Sequence, residues 1–158
     1  CGAPNYMAPE VLAGTGHGRA VDWWSLGVLA FELMAGYAPF ESDHPMRVYM
    51  NVMRGIARVE LPTECRGAVG DFVTHLLKPQ AIERLPMRQG GIGNIKGHEW
   101  FADFDWQSMQ ALTLAPPYLP KLTDNADVSK FKAKEKDLPQ PVAYDDEDCL
   151  WEEEFGAP

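Results

Sequence analysis

No stretch of this 158-residue sequence reaches the roughly 18 to 20 consecutive apolar residues that cross a bilayer, so no membrane span is expected. The longest apolar run, Trp23 to Met34, is broken by Ser25, Gly27 and Glu32 and has the length of a buried core helix. No signal-peptide pattern precedes it. Cysteine is scarce: Cys1, Cys65 and Cys149 are odd in number and far apart. Their spacing excludes a disulfide framework and a cysteine-based metal or redox motif, and it points to free thiols in a reducing, cytoplasmic compartment. His17, His44, His75 and His98 are scattered and near no cysteine pair, so no metal site is expected. A basic stripe is also lacking, which argues against nucleic acid as a partner. Strand-like alternation never persists beyond a few residues, so the body is expected to be mainly α, helix and loop. Finally, the chain opens on Cys1 and not on Met, and it reads as the C-terminal piece of something longer.

What is present is a nearly neutral body with an acidic end. Of the net charge of −9, seven carboxylates fall between Ala143 and Phe155, leaving 16 acids against 14 bases elsewhere. The first 20 residues are rich in Gly and Pro and predict a loop with one helical turn around Ala8 to Ala13. Asp22 stands before an apolar segment that ends at Gly36, the pattern of an N-cap, a helix and a C-terminal glycine. Because Trp23, Trp24, Leu26, Val28, Leu29, Phe31 and Leu33 point in nearly every direction around the helical wheel, this helix is expected to be buried on all sides. Pro45 to Arg54 predicts a second helix, with Asp43 as its cap and Met46, Tyr49, Val52 and Met53 on one stripe. Gly67 to Leu77 predicts a third, and a short fourth surrounds Ile95 to Phe101.

After Phe101 prolines recur, charges cluster and helical periodicity fades. Such a segment cannot offset its ordering entropy by its own burial. It nevertheless carries spaced anchors: Phe104, Trp106, Tyr118, Phe131, Trp151 and Phe155. They suggest a tail pinned at points on another surface; the plainer alternative is a loose tail with incidental aromatics. The expected division is therefore residues 1–101 and 102–158.

The opening Cys-Gly-Ala-Pro-Asn-Tyr-Met-Ala-Pro-Glu resembles the end of the activation segment of eukaryotic protein kinases. Asp22-Trp23-Trp24-Ser25-Leu26-Gly27 is similar to the Asp-x-Trp-x-x-Gly start of the central C-lobe helix in that family. Gly36 to Phe40 resembles the turn after it, and Glu83-Arg84-Leu85 resembles a late arginine motif. His98 to Phe101, Phe104-Asp105-Trp106, Leu114 to Pro120 and the terminal Trp-x-x-x-Phe are similar to the AGC group of serine/threonine kinases. Arg54-Gly55-Ile56, Glu60-Leu61-Pro62 and Trp151 to Phe155 most resemble cyclic-nucleotide-dependent members, the cGMP-dependent type ahead of the cAMP-dependent type. The resemblance implies an incomplete kinase C-lobe over residues 1–101, followed by an irregular AGC C-terminal tail.

It further implies roles by position. Glu10 and Arg84 would form a buried ion pair, with Trp24 beside it; without the family they read as two surface charges. Asp22 would accept hydrogen bonds from a catalytic loop that is missing here. Pro4, Tyr6 and Met7 would receive the substrate residue after the phosphorylated Ser or Thr, and apolar, adaptable Met7 suits an apolar residue. Phe131 would edge the adenine pocket, although Lys134 stands where a tyrosine is common. Trp151 and Phe155 would be the hydrophobic motif that docks on the small lobe. Ala3 departs from the usual threonine and cannot make its hydrogen bonds, which slows chemistry without abolishing it. Pro86 replaces a usual glycine. Asn5 and Met50 replace acids that bind substrate arginines in some relatives, so arginine selectivity is expected to be weaker.

No glycine-rich phosphate loop, strand lysine, His-Arg-Asp or Asp-Phe-Gly occurs, and phosphoryl transfer depends on those parts to position phosphates and magnesium. Gly90 to Gly93 follows no strand and reads as a surface turn. The chain alone is therefore expected to hold no catalytic residue and no cofactor, with ATP and Mg bound only in the full-length protein. Its implied partners are a protein substrate, the N-lobe and catalytic loop of the same polypeptide, and regulatory cyclic-nucleotide-binding domains. The alternatives are a pseudokinase or truncated C-lobe that docks partners without catalysis, and an unrelated helical interaction domain, which contact between Glu10 and Arg84 would refute.

Overall fold

In the computed structural model, residues 4–124 and 126–129 are described. The chain divides into two compact units, Cys1–Leu114 and Ala115–Pro158. Among the described residues there are helices, 3-10 turns and loops, and no strand.

In the first unit, proline and glycine set the helix boundaries. Helix α1 (Pro9–Ala13) begins on proline, whose missing N–H is no loss in a first turn, and ends at Gly14 with φ +63°. Helix α2 (Ala20–Ala35) ends at Gly36, whose left-handed φ of +82° lets its N–H reach back to the Glu32 carbonyl. Helix α3 (Pro45–Arg54), helix α4 (Ala68–Leu76), the short α5 (Gly93–Lys96) and α6 (Trp106–Gln110) follow.

The core forms where α2 meets α4. Gly27 is required at this crossing, because a Cβ there would stand 2.9 Å from Leu76 Cβ and 2.9 Å from the Leu77 side chain. Around it Trp24, Val28, Phe31, Phe72, Val73, Leu76 and Leu77 are fully buried. Trp24 stacks on Phe40 with centroids 5.4 Å apart and planes within 10°, an arrangement worth about 0.5–1.5 kcal/mol beyond its buried area. At the far end of α4, Phe72 meets Phe101 edge-on at 5.4 Å. Phe101 meets Trp106 at 5.1 Å, and Trp106 meets Phe104 at 4.7 Å. This aromatic chain holds the segment from His98 to Trp106 against α4.

Several expectations are corrected. Helix α2 starts at Ala20, whose side chain is buried, so Asp22 lies in the first turn and caps nothing; the N-cap position is Arg19, already in helical φ/ψ and without a side-chain cap. Nor is α2 buried all round: Leu29, Leu33 and Met34 are exposed, Leu33 to 74%, because no described element covers that face. Helix α3 is capped by His44 and not Asp43, its Nδ1 accepting from Met46 N at 3.2 Å. The buried side of α3 is Val48 and Val52, while Met46 and Met53 face outward. The segment around Ile95 to Phe101 is divided between α5 and a 3-10 turn at Glu99–Phe101. Helicity also continues past Phe101, since Asp105 caps α6 by accepting from Ser108 N at 2.9 Å.

In the second unit the described residues are irregular. Asp127 gathers the chain locally, its carboxylate accepting from Ser129 N at 2.8 Å and Thr123 N at 2.9 Å. The Ser129 side chain, with those backbone hydrogen bonds, holds its carboxyl well below the usual carboxylate range.

Candidate functional site

The loop ahead of α1 is a 3-10 turn, Pro4–Tyr6, closed by Met7 N donating to Pro4 O at 3.2 Å. Pro4, Tyr6 and Met7 are each half-buried, and the loop is tied to α2 at two points. Tyr6 donates its hydroxyl to Glu32 Oε2 at 2.6 Å. Ser25 Oγ lies 3.1 Å from Tyr6 O and 3.2 Å from Val21 O and shares its one proton between them. The Glu32 hydrogen bond, with burial and the carboxylate charge behind it, raises the Tyr6 hydroxyl pKa. Spacing alone does not single out Glu32, which reads as an interruption in an apolar run. The signal is that interruption itself: an acid inside a buried helix requires a partner. Asn5 adds a buried Oδ1 with no partner among the described residues, beside Glu41 and Asp43 in a cleft of about 220 Å³.

Glu10 and Arg84, 74 residues apart, meet in a two-pronged ion pair. Arg84 Nη1 and Nη2 donate to Glu10 Oε1 and Oε2, both at 2.7 Å. The Arg84 side chain is 0% exposed and that of Glu10 15%. Arg84 also donates to the carbonyls of Ala20 at 2.7 Å and Lys78 at 3.1 Å, so one guanidinium ties α1, the start of α2 and the segment after α4 together. Burial pushes the Glu10 carboxyl up, but Arg84's hydrogen bonds and charge outweigh it and hold that carboxyl below its usual range. Trp24 lies beside the pair, its ring 5.2 Å from the guanidinium carbon, with its own Nε1 buried and unpartnered among the described residues. A desolvated guanidinium over indole is a favourable cation–π contact. Asp22 is exposed on α2, near the exposed Leu29 and Leu33 and the half-buried Leu26 in helical spacing.

Other features lie apart from this loop. Between α1 and α3 a groove of about 690 Å³ is lined by Val11, Leu12, Met46, Tyr49, Met50 and Met53, with Arg54 at its edge. Arg54 and Arg58 border a smaller cleft of about 260 Å³. The histidines that look scattered in sequence are in part brought together: His75 and His98 both reach Asp71. Ala3, Phe131, Lys134, Trp151 and Phe155 lie outside the described residues.

Residues 1–101 match the protein kinase domain family. The chain is 39% identical over 132 residues to the cAMP-dependent protein kinase catalytic subunit PRKX of Homo sapiens, covering 84% of this chain and 36% of that protein. It is 37% identical over 156 residues to the cGMP-dependent protein kinase egl-4 of Caenorhabditis elegans, covering 98% of this chain and 20% of that one. With the cAMP-dependent protein kinase catalytic subunit of Dictyostelium discoideum it shares 36% identity over 132 residues, 84% of this chain and 20% of the relative. It thus spans between a fifth and just over a third of the length of these relatives. On the match that covers its first 101 residues, and on helices that assemble as a C-lobe fragment, the chain belongs to the protein kinase domain family, as an AGC-type member.

Proposed function

We propose that this chain is the substrate-loop, C-lobe and tail portion of a serine/threonine kinase that transfers the γ-phosphate of ATP to protein Ser or Thr. The observation that carries the reading is the anchoring of the Pro4–Met7 loop. A loop that must hold a peptide hydroxyl in line with a phosphate needs a rigid base, because small misplacements cost large factors in rate. Tyr6–Glu32 and Ser25 fix the loop to α2, and Glu10–Arg84 fixes its continuation to the segment after α4. Pro4, Tyr6 and Met7 would contact substrate, Met7 favouring an apolar residue after the phosphorylated one. Glu32 Oε1 has no partner among the described residues and would draw a basic substrate side chain toward the loop.

The residues present do not fit ATP and magnesium. The three grooves described above pair no lysine with two carboxylates and no glycine loop with a helix start. Nucleotide and metal would be held by parts of the protein outside this chain. Those parts would cover the exposed stripe of α2, with Asp22 accepting hydrogen bonds from the catalytic loop and Trp24 packing the ion pair behind it. Phe131 would edge the adenine, and Trp151 and Phe155 would dock on the small lobe. The division at residues 101 and 102 would separate lobe from tail. Regulation by a cyclic nucleotide is in keeping with relatives of both kinds, the cAMP-dependent PRKX at 39% identity and the cGMP-dependent kinase of C. elegans at 37%; the longer matched span of the second, 98% of this chain against 84%, is what favours cGMP ahead of cAMP. A reducing, cytoplasmic location suits the free, buried Cys65 thiol.

The test is peptide phosphorylation by the full-length protein with and without cGMP. Met7→Arg is expected to lower kcat/KM at least about tenfold for peptides with an apolar residue after the target Ser and far less for those with an acidic one there. A full-length protein that transfers no phosphate would leave the docking reading in its place.

A further inference from the structure

Asp71 and His75 stand one turn apart on α4, so their side chains share a face. His98 comes to the same point from the loop before the Glu99–Phe101 turn, held there by its ring contact with Phe72 at 5.2 Å. Asp71 Oδ2 is 3.1 Å from His75 Nδ1 and 3.0 Å from His98 Nε2, and the three ligand atoms all lie within 4.8 Å of one another. Exposure is graded across the cluster, 57% for the Asp71 side chain, 32% for His75 and 9% for His98. Two nitrogens and a carboxylate oxygen therefore converge from a fixed inner side, and the outer side is open to water.

We propose that Asp71, His75 and His98 form a zinc site, with water as the fourth ligand. Two imidazoles and one carboxylate suit zinc, whereas calcium and magnesium take oxygen donors. At metal–ligand distances of about 2.0–2.2 Å in a tetrahedron, neighbouring ligand atoms sit about 3.3–3.5 Å apart, so the two Asp–His separations need widen by only a few tenths of an ångström, and the two imidazole nitrogens, within 4.8 Å of each other, need close by no more than about 1.5 Å. Zinc takes the His75 Nδ1 and His98 Nε2 lone pairs, and each ring's proton moves to its other nitrogen. For His75 that nitrogen is Nε2, on a side chain 32% exposed. The Asp71 carbonyl that His75 leaves keeps Thr74 Oγ1 at 2.9 Å. For His98 it is Nδ1, which in the metal-free chain accepts from Trp100 N at 3.2 Å. Zinc therefore competes with the cap on Trp100, which lowers affinity and gives the site a signature. The ion replaces two hydrogen bonds by coordinate bonds and ties α4 to the Glu99–Phe101 turn.

The experiment is zinc titration of the full chain by calorimetry, with cobalt absorption to report coordination and the Trp100 amide followed by NMR. One zinc per chain is expected, with Kd on the order of 10 µM. His75→Gln and Asp71→Asn should weaken it by about tenfold to 100-fold while leaving the thermal melt in place, and His17→Gln should leave it unchanged. Cobalt should give the ligand-field spectrum of a four-coordinate ion, and zinc should shift the Trp100 amide. Absence of stoichiometric binding, or binding that survives His75→Gln unchanged, overturns the site. One bound zinc without movement of the Trp100 amide overturns the place given to His98.

Discussion

Replacing Glu10 by alanine removes the only carboxylate among the described residues that pairs with Arg84. The guanidinium keeps the carbonyls of Ala20 and Lys78 but is left 0% exposed with an unpaired charge. Breaking a buried pair from one side costs about 3–5 kcal/mol, and the lower end applies because Glu10 is 15% exposed and water can enter its place. With a urea m-value of about 2 kcal/mol/M, about 3 kcal/mol lowers the denaturation midpoint by about 1.5 M. The double variant Glu10→Leu with Arg84→Met removes both charges and should recover most of the loss, since an apolar pair of similar volume is often as stable as a buried ion pair. The assay is urea denaturation followed by circular dichroism for wild type, both single variants and the double. A midpoint drop below about 0.5 M for Glu10→Ala, or single effects that simply add in the double, would refute the coupling. The pH sign follows from the depressed Glu10 carboxyl. The pair contributes fully above the ordinary value of 4.5 and loses its contribution as pH falls through the lower folded value. The wild-type midpoint should therefore fall more steeply below pH 4.5 than that of Glu10→Gln.

Three further outcomes are expected. Leu112 holds φ +57° and is 90% exposed, so Leu112→Gly relieves left-handed strain at little packing cost; the net gain, after the unfolded-state entropy of glycine, is about 0.5–1 kcal/mol by urea denaturation. Gly27→Ala forces a methyl against Leu76 and Leu77 and should cost about 1–3 kcal/mol in the same assay, and less when introduced into a Leu77→Ala background, where only the Leu76 Cβ clash remains. Tyr6→Phe removes the hydroxyl bond to Glu32 and should cost about 1.5–3 kcal/mol, the range for a hydrogen bond to a charged group, with a matching fall in peptide kcat/KM in the full-length protein and little change in nucleotide KM.

Legibility in the sequence follows the range over which each interaction acts. Proline at the starts of α1 and α3 and glycine after α1 and α2 act through their own φ, so those boundaries could be read locally. The start of α2 could not, because its first residue is placed by burial of Ala20 and by Arg84, 64 residues away, donating to the Ala20 carbonyl. The cap of α3 departs from expectation for a smaller reason: His44, adjacent to Asp43, supplies the acceptor from an imidazole that capping rules rank low. The histidines mark the boundary of what spacing can reach. His75 is paired with Asp71 by helical periodicity, whereas His98 joins them only because aromatic packing on Phe72 carries its loop back to α4. Glu32 and the α2 stripe show the converse case. An acid and three large aliphatics share a helix that periodicity assigns wholly to the interior, yet one oxygen of the acid accepts from Tyr6 and Leu29, Leu33 and Met34 stand exposed. Apolar residues all round a helix encode covering on all sides. The uncovered face of α2 is thus the physical counterpart of a chain that spans only about a third of the human relative it matches, and it supports the proposal that further parts of the protein pack there.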